Sequence, residues 1–274
     1  MKAMTRVMRW KAGVLLVLAL GVAPVAQAGR SCQEHPPSLQ SVENGLKLAE
    51  KTLASLNASG EKVVLLARAG QDLRQHGLHY SHLGLAWRLP DGRGGSTWHV
   101  VHKLNTCGTA TAAIYRQGLG EFFLDDPWRF EAAWLAPAPQ VQDQLLALLQ
   151  NPERLVSLHH KPYSVVSYAW GQRYQQSNQW AIETLAAALE PGIAVREQAQ
   201  AWLRFKGYEP TALTLRPLTR LGARATAANV AFDDHPNDKR FADRIETVTV
   251  DSVFAWLARA QLSRPGTAPT QIGL

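Results

Sequence analysis

The stretch HYSHLGLAWRLPDGRGGSTWHVVHKL, residues 79–104, decides the fold. Residues 79–89 alternate well enough between apolar and polar side chains to form a strand, and residues 97–104 return as a second one. DGRGG at 91–95 supplies the turn between them. The pattern therefore predicts a β-hairpin and, with it, an antiparallel sheet.

The segments before and after this hairpin predict further strands and an amphipathic helix. KVVLLAR (62–68) is typical of a short buried strand, and AAWLAPAP (132–139) of a strand ended by prolines. Residues 38–57 predict a helix with Ser38 as its N-cap. Its apolar stripe is expected to consist of Leu39, Val42, Leu46, Ala49, Leu53 and Leu56.

Helices dominate the second half of the chain. They are expected in residues 141–150, in 178–189, in 196–207, closed by Gly207, and in 251–262, capped by Asp251 or Ser252. TALTLRPL (211–218) and RIETVTV (244–250) predict strands. The order of elements favours a single α+β domain over residues 29–262, with a mainly antiparallel sheet, packed helices and a disordered tail at 263–274.

Residues 1–28 have the pattern of a secretory signal peptide. Four basic residues precede an apolar run of 12 residues, AGVLLVLALGVA, and AQA ends at Ala28 as a cleavage site. The apolar run is too short to span a bilayer, so no stable membrane insertion is expected after cleavage. The alternative is a retained amphipathic anchor. A cleaved leader places the chain in the periplasm or outside the cell.

Cleavage also changes the charge of the chain. The formal net charge of the whole sequence is +7, and four of these charges belong to the leader. The rest of the chain has no block of lysine or arginine, so nucleic acid is not an expected partner. No motif for a cofactor or a phosphate-binding loop is present either.

Cys32 and Cys107 are the two cysteines of the chain. In an oxidising compartment they are expected to form a disulfide, which closes a long loop and stabilises the fold by roughly 4 kcal/mol. Lipid attachment at Cys32 and a catalytic thiol at Cys107 are the alternatives. The residues before Cys32 do not favour lipidation, and Cys107 has no obvious activating base beyond His102.

His82 and His102 are candidates for acid–base chemistry. His82 lies on a predicted strand and is followed closely by Gly84, which permits close approach of a backbone or ligand. His102 lies on the partner strand, where it could hydrogen-bond the first imidazole and fix its tautomer. The alternative is a pair of structural histidines with satisfied hydrogen bonds.

Ser177 precedes the predicted helix 178–189 and allows two interpretations. A serine or asparagine at this place, here Ser177 or Asn178, can cap the helix by accepting a backbone N–H. A nucleophile at a helix N-terminus would also benefit from the helix dipole, and the N–H groups there could bind an oxyanion. Sequence alone leaves both open.

Two polar segments are candidates for the rim of a cleft. ANVAFDDHP (228–236) contains Asp233, Asp234 and His235, which favour a structured loop over a metal site because adjacent side chains seldom converge. FFLDDP (122–127) is interpreted in the same way. RAGQDL (68–73) predicts a polar loop in which Gln71 or Asp72 could line the cleft.

Several of these segments resemble an exported bacterial family, domain of unknown function 2145. They are RAGQDLRQHGLHYSHLGLAWR, VVHKLNTCGTA, GLGEFFLDDP, YQQSNQW and ANVAFDDHP, and the resemblance extends from about Cys32 to Leu262. It implies a secretory leader and no established activity.

A more distant similarity links the chain to circularly permuted NlpC-like members of the papain-like superfamily. SHLGL looks like their histidine strand, WHVVHKL like the strand with the orienting residue, and QQSNQWAIETL like the helix with the nucleophile. The resemblance implies His82 as base, His102 as orienting partner and Ser177 in the nucleophile position. Ser177 departs from the pattern because the superfamily has cysteine there.

Two functions follow as expectations. The first is a periplasmic hydrolase of amides or esters in cell-envelope peptides or acylated small molecules, with Ser177 attacking and Asn178 or backbone N–H groups binding the oxyanion. The second is a catalytically inactive binding module for an envelope peptide or protein. Residues expected to contact a ligand are Gln71, Asp72, Asn178, Gln179, Trp180, Asp234 and His235, with Trp87, Trp98 and Trp170 lining the cleft.

Overall fold

The hairpin predicted from residues 79–104 forms the middle of an antiparallel sheet. The structure is a computed structural model that describes residues 37–92, 95–125 and 127–274. Within them, six strands pair in the order β4-β3-β2-β1-β5-β8, each antiparallel to its neighbour. The strands are β1 (Val63–Arg68), β2 (His82–Pro90), β3 (Ser96–Asn105), β4 (Ala112–Gly118), β5 (Glu131–Leu135) and β8 (Thr270–Gly273). The prediction of an α+β fold with a mainly antiparallel sheet is confirmed.

Helices cover both faces of this sheet. Those described are α1 (Leu39–Ser59), α2 (Leu119–Leu124), α3 (Pro139–Leu149), α4 (Pro152–Val156), α5 (Ser177–Leu189), α6 (Arg196–Phe205), α7 (Pro217–Thr226), α8 (Asn237–Phe241) and α9 (Val250–Arg259). On one face, α1 and α2 pack on Val64, Leu66 and Val100. On the other, α3, α5, α6 and α9 pack on Leu65, Leu85 and Val101. Since neighbouring strand residues point to opposite faces, both faces are apolar.

A smaller unit completes the fold. Strands β6 (Thr211–Thr214) and β7 (Arg244–Thr247) pair antiparallel. They enclose a separate apolar cluster with α7, which contains Leu213, Ala223, Val230, Phe232 and Ile245. The expected strand 211–218 is shorter than predicted because Pro217 begins α7.

The apolar face of α1 differs from the predicted stripe. Leu39, Leu46 and Leu53 are 91%, 50% and 37% exposed, whereas Leu48 is fully buried. The cause is Gly45, where a Cβ atom would lie 2.9 Å from Leu124 Cδ2. Glycine lets α2 approach at this point, so the helix packs through a face rotated away from the predicted one. The N-cap prediction is confirmed, since Ser38 Oγ accepts from Ser41 N–H at 3.0 Å.

Two helix caps were assigned to the wrong residues. The side chain of Gln176 caps α5 by accepting from Asn178 N–H at 3.0 Å, so neither Ser177 nor Asn178 is the cap. Thr249 caps α9 by accepting from Ser252 N–H at 3.1 Å, instead of Asp251 or Ser252. In both cases the helix begins one residue earlier than the apolar pattern indicates.

The expectation of a disordered tail at 263–274 is corrected by β8. Residues Thr270–Gly273 pair with β5, and Lys51 on α1 donates to the carbonyl of Gly273 at 3.0 Å. The composition of the tail is that of a loop, but the open edge of β5 offers backbone groups that a polar segment can pair with. The predicted leader at 1–28 lies outside the described residues.

Candidate functional site

The predicted catalytic strand begins at His82, at the end of β2 that adjoins α2. His82 faces Arg68 across the β1–β2 ladder, and its ring lies 6.0 Å from that of Phe122 on α2. Gly84 is on the same face, where a Cβ atom would lie 2.5 Å from Val100 Cγ1 and 3.3 Å from Phe122 Cε2. The predicted close approach at Gly84 is therefore confirmed, and the neighbours are β3 and α2.

The two histidines form a hydrogen-bonded pair, as predicted. His82 Nε2 and His102 Nδ1 are 2.8 Å apart. His102 Nε2 is 2.7 Å from Oε1 of Gln117 on β4. His102 is fully buried, while His82 is 9% exposed. Hydrogen bonds thus link His82, His102 and Gln117 across the adjacent strands β2, β3 and β4.

Burial determines the protonation state of His102. Burial, together with the nearby charge of Arg68, lowers the pKa of His102 to about 4. His102 is therefore neutral at pH 7. Gln117 Oε1 accepts a hydrogen bond from the Nε2–H of His102. The Nδ1 atom of His102 is therefore an acceptor and receives a hydrogen bond from the Nε2–H of His82.

Charged groups from two of the motif segments border the histidine pair. The guanidinium of Arg68 lies 4.8 Å from the centre of the Phe122 ring, donates to the Phe122 carbonyl and pairs with Asp125. Arg68 and Gln117 were missed as site residues. Arg68 opens the segment RAGQDL, but nothing in its local pattern distinguishes it from a surface arginine at a strand end.

The start of α5 meets the start of β2 through Asn178. Its Oδ1 accepts from Leu83 N–H at 2.9 Å, and its Nδ2 donates to the Ser81 carbonyl at 3.3 Å. The side-chain amide of Asn178 therefore contacts the backbone on both sides of His82. Nδ2 also donates to the Val248 carbonyl at 3.3 Å. Because its donors and acceptor are engaged, Asn178 positions the two segments, and its role as oxyanion donor stays a prediction.

Ser177 is the first residue of α5 and is only 4% exposed. Its hydroxyl lies 3.5 Å from the Tyr163 hydroxyl. No hydrogen bond joins Ser177 to His82 among the residues that the structure describes. The α5 helix packs on the sheet face opposite to the one that bears the His82 ring, with Trp180 against Leu83 and Leu85 in one core cluster. The predicted serine and histidine are thus brought to the same end of β2 without direct contact.

The residues after Asn178 have structural roles. Gln179 is fully buried, accepts from Ser167 Oγ at 2.8 Å and donates to the carbonyls of Tyr168 and Ala169. Trp180 is fully buried as well. Neither presents an atom to solvent in this structure, and their role as ligand contacts stays a prediction.

The predicted tryptophan-lined cleft is also corrected. Trp87 and Trp98 are 0% and 1% exposed and belong to the cores on opposite faces of the sheet. Trp170 is partly buried and packs with Tyr208 at 5.9 Å between ring centres. Burial of a large aromatic side chain removes much apolar surface from water, and Trp87 and Trp98 help to fill the two cores.

The segment with Gln71 and Asp72 is a loop between β1 and β2, as predicted. Gln71 is exposed, and Asp72 pairs with Arg74 at 2.8 Å. The hydrogen bond from the Arg74 side chain lowers the pKa of the Asp72 carboxyl. Both residues lie on the surface of the loop that leads into His82.

Asp234 and His235 connect two irregular segments. Asp234 accepts from Tyr168 N–H at 2.8 Å and from His235 Nδ1 at 3.0 Å, and both side chains are almost fully buried. Asp233 pairs with Arg173 at 2.9 Å. These contacts join the loop around 228–236 to the segment that leads to Ser177. In the described ranges, no group of three or more His, Cys, Asp or Glu side chains is arranged to hold a metal ion.

A buried polar network beneath α5 was not foreseen. Glu183 is fully buried and pairs with Arg196 at 2.8 Å, and it accepts from Gln175 and Gln200. Lys103 on β3 donates to Gln175 Oε1 at 2.7 Å. Burial lowers the pKa of Lys103 to about 7. The residues are far apart in sequence, so no local pattern could reveal the network.

Cys107 lies exposed in the turn after β3. Its predicted partner Cys32 is outside the described residues, so the disulfide stays a prediction. No helix in the part of the chain that the structure describes has the length and apolar character needed to cross a bilayer.

Comparison with known proteins gives one match. A family model described as an uncharacterised protein conserved in bacteria, DUF2145, matches residues 55–257. No curated protein matches the chain. No solved structure matches it either. The matched region contains β1 to β7 and all the histidine, arginine and α5 residues described above. The chain belongs to the DUF2145 family.

Proposed function

We propose that this protein is a periplasmic or secreted hydrolase of amide or ester bonds in cell-envelope peptides or acylated small molecules. His82 is the general base, His102 orients it, and Ser177 is the nucleophile. The observation that carries the proposal is the 2.8 Å hydrogen bond between His82 and His102, which orients the His82 ring. An imidazole held in one tautomer by a buried neutral partner is suited to accept a proton from a hydroxyl.

The place of Ser177 supports the role of nucleophile. It lies next to Asn178, whose amide bonds to the backbone on both sides of His82. The N–H groups of Ser177 and Gln179 donate no hydrogen bond to any residue within the described ranges. They stand at the positive end of the α5 dipole, where an oxyanion would be stabilised. Backbone donors thus replace the Asn178 side chain in this role.

The reaction proceeds in two acyl-transfer steps. Attack requires a movement that brings the Ser177 hydroxyl and the His82 ring together, because α5 and that ring lie on opposite faces of the sheet. Oγ then bonds to the substrate carbonyl carbon while its proton passes to a nitrogen of the His82 imidazole. The protonated imidazole then gives that proton to the leaving amine or alcohol. Water, deprotonated by the same nitrogen, hydrolyses the acyl-serine and regenerates the hydroxyl. Because Ser177 and His82 are 4% and 9% exposed, the segments around Tyr163 and the 69–81 loop must open to admit the substrate.

The architecture is consistent with a permuted NlpC-like, papain-like domain. The chain order of the histidine strand, the orienting strand and the helix is β2, β3 and α5. All three elements meet through the Asn178 and His102 hydrogen bonds. Serine in place of cysteine makes the nucleophile weaker at neutral pH, so the orientation of His82 matters more.

A second candidate is a catalytically inactive module that binds an envelope peptide or protein partner. The specific observation in its favour is that the Ser177 hydroxyl contacts Tyr163 at 3.5 Å in a buried position. The binding surface would then include the exposed loop with Gln71 and Asp72, since the tryptophans are in the core.

Hydrolysis assays separate the two candidates. The purified chain is incubated with p-nitrophenyl acetate and with N-acylated cell-wall peptides, beside the variants Ser177→Ala, His82→Ala and Ser157→Ala. Ser157 is an exposed serine at the end of α4 and serves as the control. Turnover that survives Ser157→Ala but falls at least about 100-fold in the other two variants supports the hydrolase. Turnover that is absent, or unchanged in Ser177→Ala, contradicts it.

A further inference from the structure

The outer face of α7 carries apolar side chains that are largely exposed to solvent. Helix α7 spans Pro217–Thr226, and its one buried residue is Ala223. Leu218 and Leu221 are 82% and 66% exposed. At about 100° per residue, these leucines lie about 140° and 160° around the helix from Ala223. They therefore point away from the core, on the opposite side of the helix.

The charged side chains of the α7 segment itself are all basic, whereas Asp243 and the exposed Asp238 lie at α8. Residues 210–232 contain three arginines, Arg216, Arg220 and Arg224, and no aspartate or glutamate. Arg216 and Arg224 are exposed and form no ion pair with any other described residue. The surface thus combines isolated leucines with unpaired cations on one short amphipathic helix.

The neighbouring helix extends the same surface. Arg220 pairs with Asp243 at 3.2 Å and donates to the Arg240 carbonyl at 2.5 Å, which fixes α7 against the end of α8. Phe241 on α8 is 73% exposed, and the guanidinium of Arg240 lies 5.1 Å from the centre of its ring. The two helices therefore present leucine, phenylalanine and arginine side chains to solvent, together with Asp238 of α8.

We infer that α7 and α8 dock the protein on the surface of an anionic phospholipid bilayer. Leucine and phenylalanine enter the boundary between headgroups and acyl chains, while arginines bind the headgroup phosphates. A second copy of the chain would oppose arginine to arginine, which disfavours self-association through this face. The lipid surface accepts scattered apolar side chains without a shaped pocket. The candidate site at His82 is built from other elements, so the inference is independent of the proposed hydrolase.

Vesicle co-sedimentation tests this docking surface. The purified chain is mixed with vesicles of phosphatidylcholine alone and of phosphatidylcholine with phosphatidylglycerol. We expect it to sediment with the anionic vesicles, weakly with the neutral ones, and to be released at about 1 M salt, where the screening length is about 3 Å. Equal binding to both vesicles, or binding to neither, contradicts the inference.

Two double variants locate the surface. Leu218→Gln with Leu221→Gln, and Arg216→Gln with Arg224→Gln, should each reduce the affinity for anionic vesicles at least about 10-fold. Leu39→Gln is the matched control, because Leu39 is a 91% exposed leucine on α1. Thermal unfolding of every variant shows that the fold is retained, which is expected for exposed positions. Unchanged sedimentation of both double variants would overturn the assignment to α7.

Discussion

Asn178 Oδ1 lies 2.9 Å from the backbone nitrogen of Leu83, so one side chain of α5 holds the strand residue that follows His82. The same amide donates to the carbonyl of Ser81, the residue before His82. Two segments that are 95 positions apart in sequence are thereby fixed against each other. The position of His82 relative to the start of α5 depends on this amide.

Replacing Asn178 tests this dependence. In Asn178→Ala the buried N–H of Leu83 loses its acceptor, and we expect the free energy of unfolding to fall by about 2–4 kcal/mol. Urea unfolding followed by tryptophan fluorescence measures the change. Asn44→Ala is the control, since Asn44 Oδ1 accepts only from exposed Gln40 on the same helix. The control should change stability by less than about 0.5 kcal/mol, and an equal effect of both variants would contradict the role of Asn178.

Because Gly84 is closely packed, any side chain at this position is expected to lower the free energy of unfolding. A Cβ atom would lie 2.5 Å from Val100 Cγ1, and the valine is fixed inside the sheet. We expect Gly84→Ala to lower the free energy of unfolding by about 1–3 kcal/mol.

Gly222→Ala, on helix α7, is expected to have the opposite effect on stability. No atom lies within 4 Å of the Cβ position at Gly222, and the residue is inside α7. Alanine should therefore stabilise the protein by about 0.5–1 kcal/mol, as the better helix former. Chemical denaturation of both variants gives the comparison, and a Gly84→Ala protein as stable as the parent would disprove the tight contact.

His102 makes stability depend on pH below neutrality. Burial lowers the pKa of His102 to about 4 in the folded protein, against an ordinary value of 6.5. Between these values the unfolded chain binds more protons, so stability is complete above pH 6.5 and falls as the pH decreases towards 4. The loss from this histidine reaches up to about 3 kcal/mol.

The variant His102→Asn separates this contribution from other titrating groups. It removes the titration, so the difference in unfolding free energy between about pH 6.5 and pH 4.5 should be smaller than in the parent. Urea unfolding at both pH values measures it. A difference as large as in the parent would show that His102 is not the group responsible.

Local pattern predicted the hairpin, the antiparallel sheet and the places of α1, α3, α5, α6 and α9. Such elements follow from the period of apolar residues, which the printed sequence contains. The sequence pattern does not predict which face of α1 is buried, because that face depends on the approach of α2 at Gly45. Strand β8 was missed because its pairing is set by the edge of β5, far away in the chain.

The candidate site could be predicted only in part. The hydrogen bond of His82 to His102 follows from their places on adjacent hairpin strands. The hydrogen bond of Gln117 to His102 depends on β4, which the sequence analysis does not predict. The contact of Ser177 with Tyr163 depends on an irregular segment. Tertiary contacts of this kind have no signature in a short window of sequence.

Covalent labelling tests the proposed nucleophile most directly. The purified chain is treated with a fluorophosphonate, and the modified residue is found by mass spectrometry of its peptides, beside Ser177→Ala, His82→Ala and the control Ser157→Ala. We expect one phosphonylated residue, Ser177, with labelling lost in Ser177→Ala, strongly slowed in His82→Ala and unchanged in Ser157→Ala. A parent protein that is not labelled, or is labelled at another residue, would contradict Ser177 as the nucleophile.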